Sequence, residues 1–125
     1  MRTIETTAAP IPRGHYSQAV VANGFVFVAG QLPYAPGPDR VMPDGIEAQA
    51  EQVFKNIACI LTESKSGLEH LVSVQIFLPN ISLWDQVNVV YTRLLGAHKP
   101  ARTVIPCGPL HYGALIEVNA VAVTS

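Results

Sequence analysis

Two charged residues stand in the most apolar part of this chain. Arg102 follows Pro100-Ala101 and opens the run Thr103-Val104-Ile105, and Glu117 interrupts the run from Leu115 to Val123. Both runs are rich in β-branched residues and read as strands, together forming a C-terminal hairpin. Arg and Glu are seldom buried without a partner, so an ionic group inside such a pattern needs its own explanation. One explanation is a structural ion pair between them. The other is a small anionic ligand held by the planar fork of Arg102, with Glu117 beside it to move a proton. The residues alone weigh the two about equally, because buried pairs and active sites perturb ionisable groups alike.

The elements that must position these residues follow from periodicity and breakers. A short strand over 2–6 precedes a loop, Ala8 to Tyr16, whose prolines and Gly14 exclude regular structure. Strands over 17–22 and 25–32 join at Asn23-Gly24, a pair that accepts the positive φ angles of a tight hairpin turn. Gly30, near the end of the second, lets a backbone or ligand come close. Tyr34 to Pro43 carries three prolines and a glycine and reads as a surface loop or flap.

Asp44 and Glu47 form a capping-box pattern that predicts a helix from there to about Ser64, ended by Gly67. Its apolar stripe is Ile46, Ala50, Val53, Phe54, Ile57, Ile60 and Leu61. A strand over 72–78 follows. A second helix is then capped by Ser82 with Asp85 at the reciprocal position; it buries Leu83, Val87, Val90, Tyr91 and Leu94, and Gly96 stops it. Strands, helix, strand, helix, strands make an α+β domain over residues 1–125: a single mixed β-sheet with both helices on one face. In the 115–123 run, Ile116, Val118, Ala120 and Ala122 alternate with Leu115, Glu117, Asn119, Val121 and Val123, so neither side reads as solvent-facing. A ring of subunits would cover the helix-free face.

The chain has 125 residues, 49% of them hydrophobic and 14% charged, against roughly 25% charged in an average domain. Such a chain has little polar surface to spare, which favours burial against copies of itself. Its formal net charge is −1 at pH 7, and no basic run gives the footprint of a nucleic-acid binder. No apolar run approaches a membrane span and the first residues lack the apolar core of a secretory signal, so a cytoplasmic protein is expected. The two cysteines, Cys59 and Cys107, have neither metal spacing nor a disulfide framework. His15 and His111 fall in loops from which they could face the pocket, although a solvent-facing histidine is the commoner case.

Gly14-His15-Tyr16-Ser17-Gln18, Ala29-Gly30-Gln31-Leu32-Pro33, Gln49-Ala50 with Asn56, Asn88 with Tyr91, Pro100-Ala101-Arg102-Thr103, and Ile116-Glu117-Val118 with Ala120-Val121-Ala122 occur in this order. In order and spacing they resemble the Rid (reactive intermediate deaminase) or YjgF family over nearly the whole chain. The resemblance implies a chorismate-mutase-like fold, a homotrimer with inter-subunit clefts, and hydrolysis of a small carboxylate-bearing enamine or imine to a keto acid and ammonia, of the 2-iminobutanoate/2-iminopropanoate deaminase type. By position, Arg102 would hold the substrate carboxylate and Glu117 would position or activate water. Tyr16 and the backbone around Gly30 would line the pocket, with the Val104 N–H fixing the substrate. No cofactor or metal is implied. An imine carbon is already electrophilic, so holding the carboxylate, orienting water and moving protons suffice.

The sequence departs from the family pattern in three places. Val104 stands where a cysteine is common, the segment before Pro100 is short and lacks an aromatic, and Gly14-His15-Tyr16 replaces the usual Gly-Pro-Tyr alongside an unusual 106–114 loop. These bear on substrate range, and 2-aminoacrylate with its imine, a longer amino-acid-derived imine and a ring-cleavage aminomuconate are the alternatives, each presenting an enamine or imine and a carboxylate. Two other functions compete: a metabolite-binding trimer without turnover, and the ribonuclease activity sometimes attached to the family, which the near-zero charge disfavours.

Overall fold

The computed structural model describes all 125 residues. Six strands form one sheet: β1 (Arg2–Ile4), β2 (Ala19–Ala22), β3 (Phe25–Gln31), β4 (Leu71–Leu78), β5 (Ala101–Pro106) and β6 (Glu117–Val123), in the order β1-β2-β3-β6-β4-β5. Helices α1 (Ile46–Glu63) and α2 (Trp84–Leu95) pack on one face. The expected stripe of α1 is buried, as are Val87, Val90 and Tyr91 of α2, with Leu83 and Leu94 half-buried beside them. In β6, Val118, Ala120 and Ala122 are buried toward the helices. The alternate residues share the other face with Phe25 and Phe27 of β3, which are 41% and 48% exposed.

The C-terminal hairpin does not form. β5 runs parallel to β4 at the sheet edge, while β6 lies between β3 and β4, antiparallel to both. Two antiparallel neighbours satisfy the backbone of the apolar β6 on both edges, and the Pro106-to-Leu110 stretch, with two prolines and a glycine, carries the chain away from a tight turn.

Helix ends also differ from expectation. Gly45, with φ 86°, precedes α1 and no side chain caps it, so Asp44 and Glu47 form no capping box. Lys65, with φ 60°, takes the left-handed position after α1 in place of the expected Gly67, and Ser66 N–H donates to Leu61 O at 2.8 Å. Ser82 does not cap α2. Instead the Asn80 side chain accepts from Ser82 N–H at 3.1 Å and caps a 3-10 turn, Ile81–Leu83, that leads into the helix. The Asn23-Gly24 turn is as expected, with φ 52° and 79°, and Gly96 stops α2 at φ 60°.

Buried amides tie the loops down. Gln18 accepts from Thr6 N–H at 2.7 Å and donates to Pro10 O at 2.9 Å. Gln49 donates to Pro43 O at 3.0 Å and accepts from Leu115 N–H at 2.9 Å. Asn56 donates to Tyr34 O at 2.7 Å. Each lets loop backbone groups be buried without loss of their hydrogen bonds.

Candidate active site

Glu117 opens β6 opposite Phe77 of β4, on the helix-free face. The register of β3 against β6 shifts between Val28 and Gln31. That irregularity leaves Gly30 directly beneath the Glu117 carboxylate, where a Cβ would overlap Oε2. The glycine is needed for this close approach, since its φ is ordinary.

Around this carboxylate lies an open cleft of about 450 Å³, lined by Arg13, Gly14, Tyr16, Gly30, Leu32, Arg40, His111, Tyr112 and Glu117. Gly14 lies under the Tyr16 ring, 3.2 Å from Cε1 to where a Cβ would stand. The 106–114 loop supplies His111 and Tyr112, and Tyr112 sits at φ 60°, a left-handed conformation uncommon for an aromatic residue. Burial pushes the Glu117 carboxyl above the ordinary glutamate range, and the facing His111 offsets part of that rise. Burial, then the Glu117 charge, pushes the nearby Cys107 thiol up, so this cysteine is a poor thiolate. Glu117 forms no ion pair; the chain's Arg–carboxylate ion pair is Arg93–Glu51, and Glu69 lies 3.6 Å from the His70 ring.

Arg102 lies elsewhere. On β5 it pairs with Val74, so its side chain points to the helix face, opposite to that of Glu117. It is displaced from Glu117 by two strands, about 10 Å, and by three residues along the strand, about another 10 Å. Its guanidinium stacks over Trp84, 4.5 Å from the ring centroid, and Tyr91, at 5.1 Å. One Nη donates to Asn88 Oδ1 at 3.1 Å. Trp84, Asn88 and Tyr91 stand at i, i+4 and i+7 of α2, one helical face that cradles the arginine. Burial raises the Tyr91 hydroxyl pKa, which Arg102 partly counters, and that hydroxyl has no hydrogen-bond partner.

The internal ion pair between Arg102 and Glu117 is therefore not formed. Tyr16, Gly30 and Glu117 come together in one cleft, whereas Arg102 and Val104 share β5 at the far edge, where Val104 is half-buried against the core. Sequence reasoning did not assign Asn88 and Trp84 to the arginine, although their helical spacing with Tyr91 carried the signal. Nothing local in the sequence marked Arg13, Arg40 or Tyr112, because only the meeting of three loops places them at Glu117. His111, expected at the surface, is exposed yet faces the carboxylate. No group of three or more His, Cys, Asp or Glu residues sits together in metal-binding proximity.

The family described as Endoribonuclease L-PSP matches residues 6–124. Protein MMF1, mitochondrial, of Saccharomyces cerevisiae is 38% identical over 120 residues, covering 96% of this chain and 82% of that protein. The crystal structure of RidA from an Antarctic Psychrobacter superposes with a TM-score of 0.94 at 32% identity, covering 98% of this chain and 99% of that one. E. coli TdcF, crystallised with bound serine, superposes with a TM-score of 0.94 at 26% identity over 100% of both chains. With the fold, the order of motifs and these likenesses in agreement, the chain belongs to the L-PSP endoribonuclease family, which is the Rid family its motifs resemble.

Proposed function

We propose that this protein hydrolyses a small imine or enamine bearing a carboxylate, with water adding at the carbon and ammonia leaving. The carrying observation is Glu117: a half-buried carboxylate with a raised pKa, no cationic partner, and a cleft above it. Water adds to the C=N carbon as Glu117 takes its proton, giving a carbinolamine. Proton transfer to nitrogen then lets the C–N bond break, leaving a ketone and NH₃. Arg102 holds the substrate carboxylate, its fork oriented by Asn88 and the two aromatic faces. TdcF's bound serine, a small molecule with a carboxylate, supports a ligand of this class.

Since Arg102 and Glu117 face opposite sides of one sheet, the reading requires that they meet between copies. The Arg102 edge of one copy closes over the Glu117 cleft of the next in a homotrimer whose centre covers the exposed Phe25 and Phe27. The reaction as written needs no metal or cofactor. Two free cysteines suit a reducing compartment, and the cytoplasm is the one this reading assigns. No helix is long and apolar enough to cross a membrane. The test is ammonia release from 2-iminopropanoate generated in situ by an amino-acid oxidase. Glu117→Gln should lower kcat by roughly 10², the scale of general acid–base catalysis, while pyruvate binding persists. Parental turnover by this variant would sink the assignment, and an inert parent that still binds pyruvate would favour a metabolite-binding protein.

A further inference from the structure

Arg13 and Arg40 are not used by the chemistry above, yet both line the Glu117 cleft. They reach it from two loops and clasp those loops reciprocally. Arg13 Nη2 donates to Pro38 O at 3.1 Å, and Arg40 Nη2 donates to Ile11 O at 3.2 Å. Arg40 also stacks over the Tyr34 ring at 5.1 Å, and its backbone takes φ 49°. Asn56 and the Ala35 N–H to Val41 O bond, 2.8 Å, hold the same loop in place. Neither arginine pairs with a carboxylate. Two cationic forks thus line one cleft with most of their N–H donors unspent, free to donate to an oxyanion. Arg102 lines a different groove on the other face of the sheet.

We propose that Arg13 and Arg40 form a subsite for a second anionic group, so that the preferred substrate is a dianionic imine. This rests on the deaminase reading: one carboxylate goes to Arg102, the C=N carbon to Glu117, and the distal anion to the Arg13/Arg40 pair. A guanidinium fork suits a distal carboxylate or phosphate, so the shared chemistry is an oxyanion. His111 and Tyr112 line the same cleft, with Tyr112 edge-on to the Tyr34 ring at 5.8 Å.

The intact protein is assayed with 2-iminoglutarate, made by glutamate oxidase, and with 2-iminopentanoate, made from norvaline, which has the same chain length without the second anion. The expected kcat/KM ratio favours 2-iminoglutarate by about tenfold or more, the worth of a charge-assisted bidentate contact. In Arg13→Gln and Arg40→Gln the ratio falls toward one, whereas mere loosening of the loops would lower both rates together. No preference in the parent, or an unchanged ratio in both variants, overturns the subsite. If neither imine is turned over, the deaminase reading fails on its own, and calorimetry decides the subsite. There 2-oxoglutarate and 2-oxo-4-phosphonobutanoate are compared with 2-oxopentanoate. Tighter binding of either anion, lost in the variants, supports the subsite, and the stronger of the two identifies carboxylate or phosphate. Equal binding of all three overturns it.

Discussion

Arg102 gains its orientation from flat partners: Trp84 and Tyr91 beneath its plane and Asn88 at its edge. A lysine ammonium is a point charge that neither stacks as a plane nor grips a carboxylate with two parallel bonds. Arg102→Lys should therefore lose nearly as much kcat/KM as Arg102→Ala, with little change in melting temperature because the side chain is exposed. Steady-state kinetics beside thermal melts checks both halves of this. For Glu117, burial favours the neutral acid, so the folded pKa lies above the unfolded one. Its contribution to stability is thus present below the unfolded value and lost as pH rises through the folded value. In the proposed reaction activity runs the other way, since there the carboxylate form takes the proton. The acid limb of the kcat/KM profile should lie above the ordinary glutamate pKa, and His111→Gln should move it further up, because the offsetting charge is gone.

At the scale of elements, the cleft depends on loops pinned to a rigid sheet and helix. Asn56 on α1 is fully buried and donates to Tyr34 O, so Asn56→Leu leaves that carbonyl unpaired. The expected cost is about 1–3 kcal/mol, read from denaturant unfolding, with a larger loss of activity than the stability change accounts for because the 34–43 loop carries Arg40. Gly30 has the opposite profile. Gly30→Ala should fold nearly as well as the parent but displace the Glu117 carboxylate, lowering kcat on the order of 10- to 100-fold, as expected for a misplaced catalytic group. Parental kcat in that variant would mean that Glu117 does not act from the position it occupies over Gly30.

For the whole molecule, the separation of Arg102 from Glu117 makes subunit mixing informative. In the proposed homotrimer, Arg102→Ala and Glu117→Gln proteins should each be nearly inactive, whereas trimers reassembled from an equal mixture should regain about a quarter of parental activity, the fraction of junctions that unite an intact Arg102 with an intact Glu117. No recovery from a mixture that light scattering shows to be trimeric would place each site within one copy. A monomer at micromolar concentration would leave Phe25 and Phe27 bare and remove the shared cleft altogether.

The sequence by itself determined the elements, because the signals that define them are local. Period-3.6 apolar stripes specify α1 and α2, alternation specifies the two faces of β6, and Asn23-Gly24 and Gly96 need only their own backbone angles. It also singled out Arg102 and Glu117, charges conspicuous in apolar strands, and Gly30, a glycine near the end of a strand, whereas Tyr16 was marked only by the motif order that resembles the family. Helix caps were misread because a capping side chain competes with turns that tertiary contacts choose, as at Gly45 and Asn80. Only the tertiary structure decided that β6 enters between β3 and β4, which puts Arg102 and Glu117 on opposite faces, and that three loops bring Arg13, Arg40, His111 and Tyr112 to one carboxylate. Strand order and loop meeting points arise from pairings between residues far apart in the chain, and no local pattern encodes them.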